Sequence, residues 1–441
     1  MTRLERATRE TFRSLRIRNF RLFFGGQLIS QVGNWLTLVA QTLLVLKLTG
    51  DGFALGLLAA AQFGPVLLFG SWAGLVADRS DKRKLLLIVQ TVAMFQSFVL
   101  AALAFSGSPP VLSVYAVAFV GGLTTAFDNP ARRAFVVEMV PSDDINNAVS
   151  LNSTIMTGSR VFGPALAGLL VTVWGFGWAF LLDGISYLAV LAALWMMRAD
   201  ELTPAPVTPR AKGQVREGLR YVRGVPDLWL PMVMMAIIGM LAFNFQTTFP
   251  LFAIRSMGGT DVTFTLIMSV LSVGSLTAAI ASARRKSISV RWVGITAVGF
   301  GVALVALSLA PGLWAAFPLG LLVGFTSIMF MTASTAIVQI KSDPTMRGRV
   351  LALQSILFLG STPIGGPIVG AVAEHWGARW SIAVGGVAAV LAGVWGVLAA
   401  RRQVPSTLTP AEAGEARADA LTDLDRGLAT DEHTAVPTMA R

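Results

Sequence analysis

Three ionisable residues, Asp128, Arg132 and Arg160, stand inside long apolar stretches of this 441-residue chain. A charge near the centre of a bilayer costs ~2.5 to 3.5 kcal/mol even on insertion scales, so it normally faces a partner or water. Asp128 lies 11 residues from the end of its stretch and Arg160 13 residues into the next. At 1.5 Å per residue these are depths of ~16 and ~20 Å, which match. Arg132, one turn from Asp128 on the same helix face, is the alternative partner. A carboxyl so placed can carry a proton, because desolvation raises its proton affinity, a nearby Arg lowers it, and conformation can switch between the two. A permanently paired structural bridge is the competing reading. Gln27, Gln31, Asn34 and Gln41 follow one another at spacings of 4, 3 and 7, which aligns their amides along one helix face, toward a cavity or another helix.

These residues need elements that bury them, and composition says what kind. With 54% hydrophobic and 13% charged residues, the chain cannot hide its apolar surface in a water-soluble core. Twelve runs reach the ~20 residues a membrane-spanning helix requires. They cover 20–46, 54–77, 85–105, 111–139, 147–171, 178–197, 228–254, 264–283, 290–310, 313–340, 350–373 and 380–400. A gapless shift of 202 residues lays the second six over the first through Gly122/Gly324, Gly158/Gly360, Gly163/Gly365, Gly168/Gly370, Trp174/Trp376 and Trp178/Trp380. Duplicated membrane halves mark secondary transporters, with a substrate site between the repeats near mid-bilayer. The expected organisation is a basic arm (1–19), a six-helix bundle (20–198), a linker with a short surface helix (199–227), a second six-helix bundle (228–402) and a disordered, acid-rich tail (403–441).

The net charge of +11 is not a nucleic-acid footprint, because its basic residues recur at every second loop. By the positive-inside rule this places both termini in the cytoplasm and the basic surface against anionic headgroups of the inner membrane. Asp183 then lies nearer the outer end of the sixth run, where water can reach it. No cleavable signal peptide is evident, since the first apolar run is too long. The absence of Cys excludes disulfides and thiolate metal sites, and His375 and His433, the only histidines, argue against a zinc site or a histidine relay in the membrane. No Gly-rich ATPase loop occurs. The expectation is a chain without metal or cofactor that catalyses no covalent reaction.

The loop after the second run reads Gly74-Leu75-Val76-Ala77-Asp78-Arg79-Ser80-Asp81-Lys82-Arg83-Lys84. It resembles the major facilitator superfamily signature G-x-x-x-D-R-x-G-R-K, with Asp81 in place of Gly. Residues 14–30 (SLRIRNFRLFFGGQLIS), 126–141 (AFDNPARRAFVVEMVP) and 217–222 (EGLRYV) resemble the exporter branch that contains the enterobactin exporter and macrolide efflux proteins. The resemblance covers about residues 15 to 402. It implies an all-α membrane protein whose twelve transmembrane helices form two pseudo-symmetric six-helix bundles rocking around a central cavity.

It also implies that Asp78 faces the N-terminus of the eleventh helix, where free N–H groups stabilise an anion by roughly 0.3 to 1 kcal/mol. That helix should begin at Asp343-Pro344, an N-cap followed by Pro at N1, with Arg347 in its first turn. Gly74, Asp78, Arg79, Arg83 and Arg347 are then the expected gate. Gly158, Gly163, Pro164 and Gly168, echoed by Gly365, Gly366 and Pro367, resemble the G-P-x-x-G-G signature of proton-coupled exporters; small residues allow close helix packing and Pro supplies a hinge. The family's central helices are the first, fourth, seventh and tenth, which adds Asn244, Gln246, Ser334 and Gln339 to Gln27, Gln31 and Asn34 as cavity candidates. Neighbouring Met232, Met235, Met240, Met329 and Met331 would accept varied apolar shapes. The expected function is export of amphiphilic small molecules across the cytoplasmic membrane by a monomer, in exchange for protons. The partners are membrane lipids, the solute and protons, with no nucleic acid. The alternatives are a siderophore or lysophospholipid transporter, or a transporter-like membrane scaffold or sensor.

Overall fold

A backbone inside lipid must satisfy every N–H and C=O internally, and a helix does so within one segment. In the computed structural model, which describes residues 11–203, 214–283, 285, 287–343 and 346–402, every regular element is helical. The first half holds α1 (Arg18–Thr49), α2 (Gly52–Arg79), α3 (Lys82–Phe105), α4 (Val111–Glu138), α5 (Ile145–Trp174) and α6 (Phe176–Met196). A linker helix, α7 (Gln214–Gly224), leads to α8 (Pro226–Leu241) and α9 (Phe245–Leu251), which runs on into a π turn (Phe252–Ser256). The remainder is α10 (Asp261–Ala283), α11 (Val290–Ser308), α12 (Leu313–Lys341), α13 (Arg347–Leu359), α14 (Thr362–Trp376) and α15 (Ala378–Arg402). Residues through Val397 form one compact unit. The described residues contain 11 segments long and apolar enough to cross a membrane. The twelfth expected span, 147–171, falls in the 30-residue α5.

Local chemistry sets the ends. Gly50 closes α1 in the left-handed conformation at φ 62°, and its N–H bonds the Leu46 carbonyl at 2.7 Å. Asp51 caps α2 by accepting from Phe53 N at 2.7 Å. Asp81, the departure from the family loop, caps α3 by accepting from Lys84 N at 3.1 Å.

Two expected spans are broken. The seventh run is α8 and α9 separated at residues 242–244, where the Asn244 side chain donates to the freed Met240 carbonyl at 2.6 Å. The eleventh run stops at Leu359 and resumes at Thr362, because Pro363 lacks the N–H that a continuous helix would need. The two breaks adjoin: a Cβ on Gly239 would stand 2.9 Å from Ser361 Oγ, and one on Gly365 only 1.7 Å from the Met240 carbonyl oxygen.

Within the first half α1 packs on α5 and α6, α2 on α4, and α3 on α4 and α6; in the second, α12 packs on α10 and α11, and α8 on α12, α13 and α14. The halves meet chiefly through α2 with α14 and α5 with α10, pairs that the repeat exchanges. At the end of the molecule near the N-terminal arm, Phe20, Phe23, Leu86, Phe135 and Leu194 form a buried core that sets the spacing of α1, α3, α4 and α6.

Candidate functional site

The first half encloses a cavity of about 340 Å³. Gln31, Asn34, Gln41, Gln62, Gln90 and Gln96 give it amide groups, Asp128, Arg132 and Asp183 its charges, and Trp35, Phe63 and Met156 apolar wall. Amides need partners that lipid cannot supply, and the helices meet that need here. Gln62 Nε2 donates to Gln41 Oε1 at 2.8 Å, and Tyr187 Oη donates to Asn34 Oδ1 at 2.8 Å.

At one end of this cavity Arg132 reaches two acceptors, Asp128 Oδ2 on its own helix and Gln27 Oε1 on α1. Asp128 Oδ1 accepts from Gln90 Nε2 of α3 at 2.6 Å. The pair is nearly dry, with side-chain exposures of 7% for Arg132 and 14% for Asp128. Of the two partners left open by the sequence, Arg132 on the same helix is in contact with Asp128. Arg160 lies on α5, but its side chain falls outside the described residues. Asp183, expected within reach of water, is fully buried, and its Oδ2 accepts from Thr37 Oγ1 at 2.6 Å and Ser97 Oγ at 2.7 Å.

The other amide candidates stand elsewhere. Gln27 is 1% exposed and serves Arg132 rather than the cavity surface. Asn244 is buried at the α8/α9 break, Gln246 follows it on α9, Ser334 accepts from Gln354 Nε2 at 3.1 Å, and Gln339 is exposed. None of these four lines the first-half cavity.

Around the signature loop the structure adds bonds that the sequence did not reveal. Arg83 donates through Nε to the Leu194 carbonyl at 2.8 Å and through a terminal nitrogen to the Trp195 carbonyl at 3.1 Å, covering the C-terminal carbonyls of α6. Lys82 is buried in an ion pair with Glu138 of α4 at 2.9 Å. A second cavity, about 720 Å³, opens here, lined by Asp78, Arg79, Arg83, Glu138 and Trp195. Gly74 is half-buried on α2. The Asp343 carbonyl accepts from Met346 N at 3.0 Å and Arg347 N at 2.8 Å, so the turn into α13 takes off at Asp343; Pro344 lies outside the described residues. The linker helix docks on α13 through Glu217–Arg349 at 2.8 Å and through Tyr221 Oη, which accepts from Asp343 N at 3.0 Å.

At the opposite end of the molecule the halves touch through glycines. A Cβ on Gly56 would lie 2.4 Å from the Gly366 carbonyl oxygen, one on Gly370 2.4 Å from the Gly52 carbonyl oxygen, and one on Gly168 2.1 Å from Thr265 Oγ1. Gly163 leaves room for the Trp35 ring, whereas nothing lies within 4 Å of a Cβ on Gly158. Glu374 of α14 ties the contact by accepting from Gly52 N at 2.8 Å and Arg255 at 2.8 Å. Pro164 and Pro367 lie inside α5 and α14 beside these glycines.

The sequence matches the family described as transmembrane secretion effector over residues 9–429. The chain belongs to this family. Its relatives include macrolide efflux protein A of Streptococcus pyogenes, 22% identical over 352 residues that cover 78% of this chain and 87% of that protein. The staphyloferrin A transporter of Staphylococcus aureus is 23% identical (83% and 93% covered), and the multidrug efflux pump Tap of Mycolicibacterium fortuitum 25% (79% and 88%). Among solved structures, a bacterial homologue of the human lysosomal transporter Spinster, inward-facing and unoccupied, superposes with a TM-score of 0.70 at 15% identity, covering 88% of this chain and 98% of that one. A D-xylose–proton symporter superposes at 0.67 and 14% identity (86% and 96%). The chain is thus a multi-pass transporter of the major facilitator superfamily, with homologues and fold that belong to transporters and not to enzymes.

Proposed function

We propose that this transporter exports amphiphilic small molecules from the cytoplasm in exchange for protons, by alternating access and as a single chain. The observation that carries the reading is the first-half cavity, where a neutralised ion pair and a ring of amides adjoin Trp35, Phe63 and Met156. Such a wall orients a solute through a few hydrogen bonds and accepts its apolar body without a fixed shape. The named efflux relatives support the direction of transport. With both termini taken as cytoplasmic, the glycine contacts and the Glu374 tie would close the outer side, and in this reading solute loads from the cytoplasm. The loop carrying Asp78, Arg79 and Arg83, with Arg347 across from it, is the inner gate in this reading.

Everted membrane vesicles test it. With an acid interior imposed, a radiolabelled macrolide or a fluorescent lipophilic cation should accumulate in vesicles carrying the chain and not in matched vesicles without it. Accumulation of a citrate-type siderophore instead would move the substrate class, and equal levels in both vesicle sets for all three probes would overturn the export reading.

A further inference from the structure

The ion pair leaves a second carboxyl in the same cavity unexplained. Asp183 is fully buried on α6, and its hydrogen bonding is lopsided. Oδ2 accepts the hydroxyls of Thr37 (α1) and Ser97 (α3), while Oδ1 is buried with no hydrogen-bond partner. Opposite it α1 carries Gly33, where a Cβ would stand 2.4 Å from both Asp183 Oδ1 and Ser186 Oγ. Glycine at that position keeps open the space that Oδ1 needs. Ser186 uses its own hydrogen on the Asp183 backbone carbonyl at 2.7 Å, which leaves its lone pairs available as an acceptor.

The groups around Asp183 decide what chemistry is open to it. α1 presents Gly33 and Thr37, α3 presents Ser97, and α6 itself presents Ser186 and Tyr187. Among the described residues, the other charged side chains that share the cavity are Asp128 and Arg132 of α4, and they are engaged with each other. No described cationic side chain forms an ion pair with Asp183. A buried carboxylate is stabilised by a cation or several N–H donors; Asp128 has such donors on both oxygens, from Arg132 and Gln90. Two hydroxyls on one oxygen fall short of that. They are also reversible partners, since each can rotate to accept as well as donate. This arrangement suits a group that alternates between acid and carboxylate.

We propose that Asp183 is the proton-binding carboxyl of this cavity, with the proton held on Oδ1 while Asp128 stays paired with Arg132 and Gln90. The proton arrives from cavity water, forms one O–H bond at Oδ1, and leaves as that bond breaks; no other bond changes. The assignment deepens the antiport reading by naming the proton's site, and it rests on that reading only for the exchange against solute.

Infrared difference spectroscopy of the purified full-length protein in lipid nanodiscs tests it without any substrate. The pH is stepped upward through a range where exposed carboxyls, with their pKa of roughly 4, are already ionised. The wild type should lose one protonated-carboxyl C=O band. Asp183→Asn should lack the band and Asp128→Asn should keep it. Labelling aspartate with carbon-13 at the side-chain carboxyl should shift the band in the unmutated chain, which keeps the test valid even if Asp183→Asn fails to fold. A band that survives Asp183→Asn, that ignores aspartate labelling, or that is missing from the wild type would overturn the proposal. Normal proton binding together with solute flux indifferent to a pH gradient would instead sink the antiport reading and leave this site standing.

Discussion

Replacing Asp128 by Asn removes the one anion that, among the described residues, contacts the buried Arg132 guanidinium, and the structure lets the cost be worked out. Asp128 accepts from both Arg132 and Gln90 Nε2, and Arg132 otherwise holds only the neutral Gln27 oxygen. In Asp128→Asn the side chain offers one oxygen and one NH₂ group. Gln90 can adapt by turning its amide over, because its Oε1 has no partner and can accept from the new NH₂. Arg132 cannot adapt in this way: its charge remains, 7% exposed, with two neutral carbonyl acceptors. Breaking a buried pair by removing one member typically costs about 3–5 kcal/mol, whereas removing both is often close to neutral.

The double change Asp128→Asn with Arg132→Gln should therefore cost less than Asp128→Asn alone, with a coupling of about 2 kcal/mol or more. A double-mutant cycle on unfolding in mixed micelles, followed by fluorescence of the 11 tryptophans, measures it. Single effects that add to the double within about 0.5 kcal/mol would refute the claim that the two residues form one buried unit.

The chain has no Cys, so single Cys probes report access directly: Gln31→Cys and Asn34→Cys should react with a small water-soluble thiol reagent, and Gln27→Cys, Leu36→Cys and Val39→Cys should not. Uniform reactivity at all five would mean that the cavity is not bounded as described. Gly365→Ala must displace α8, because its Cβ would lie 1.7 Å from the Met240 carbonyl oxygen, and should lower stability by about 1–3 kcal/mol. Gly158→Ala, inside α5 with nothing within 4 Å, should not lower the unfolding midpoint and can raise it, since Ala is the better helix former; equal losses at both positions would remove the packing argument. Glu374→Gln keeps an acceptor for Gly52 N but loses the charge facing Arg255, so stability should change by less than about 1 kcal/mol for this half-exposed pair. Spin-label distances between the Gly52 end of α2 and the Trp376 end of α14 should broaden, and an unaltered distribution would show that Glu374 does not tie the halves.

The fold was legible because lipid leaves the backbone few options: run length gave the helices, and the repeat of Gly and Trp gave their pairing. Arg132 was also legible, since a spacing of four residues puts it over Asp128 on any α-helix. What escaped the sequence was facing direction across helices. Depth along α6 suggested that water reaches Asp183, yet depth does not say which way a residue points, and here α1 and α3 cover it with Gly33, Thr37 and Ser97. Lys82 stands in the sequence as one basic residue of the signature loop, and its partner Glu138 is far away in sequence, brought to it by the packing of α3 on α4. The break at 242–244 had no Pro or Gly to announce it; Asn244 makes it possible by bonding Met240 through its side chain.

The repeat copies the spacers and not the charges. Gly163 and Gly168 are carried onto Gly365 and Gly370, and all four sit where a Cβ would strike a neighbouring helix: Gly168 and Gly370 between the halves, against α10 and α2, and Gly163 and Gly365 within their own halves, against α1 and α8. The same 202-residue shift takes Asp128 to Phe330, Arg132 to Ser334 and Asp183 to Gly385. Phe330 and Ser334 are fully buried, and a Cβ on Gly385 would lie 2.6 Å from the Leu241 carbonyl oxygen, so the second half has filled with packing the volume that the first half spends on ionisable groups. Close contact is needed on both sides because the halves must meet symmetrically to close. Charge is needed once, since each buried ionisable group costs free energy and must find partners. In the proposed exchange, a solute or proton would therefore gain its polar contacts chiefly from one wall, and movement of the other half would change its exposure to water without having to break a second set of buried charges.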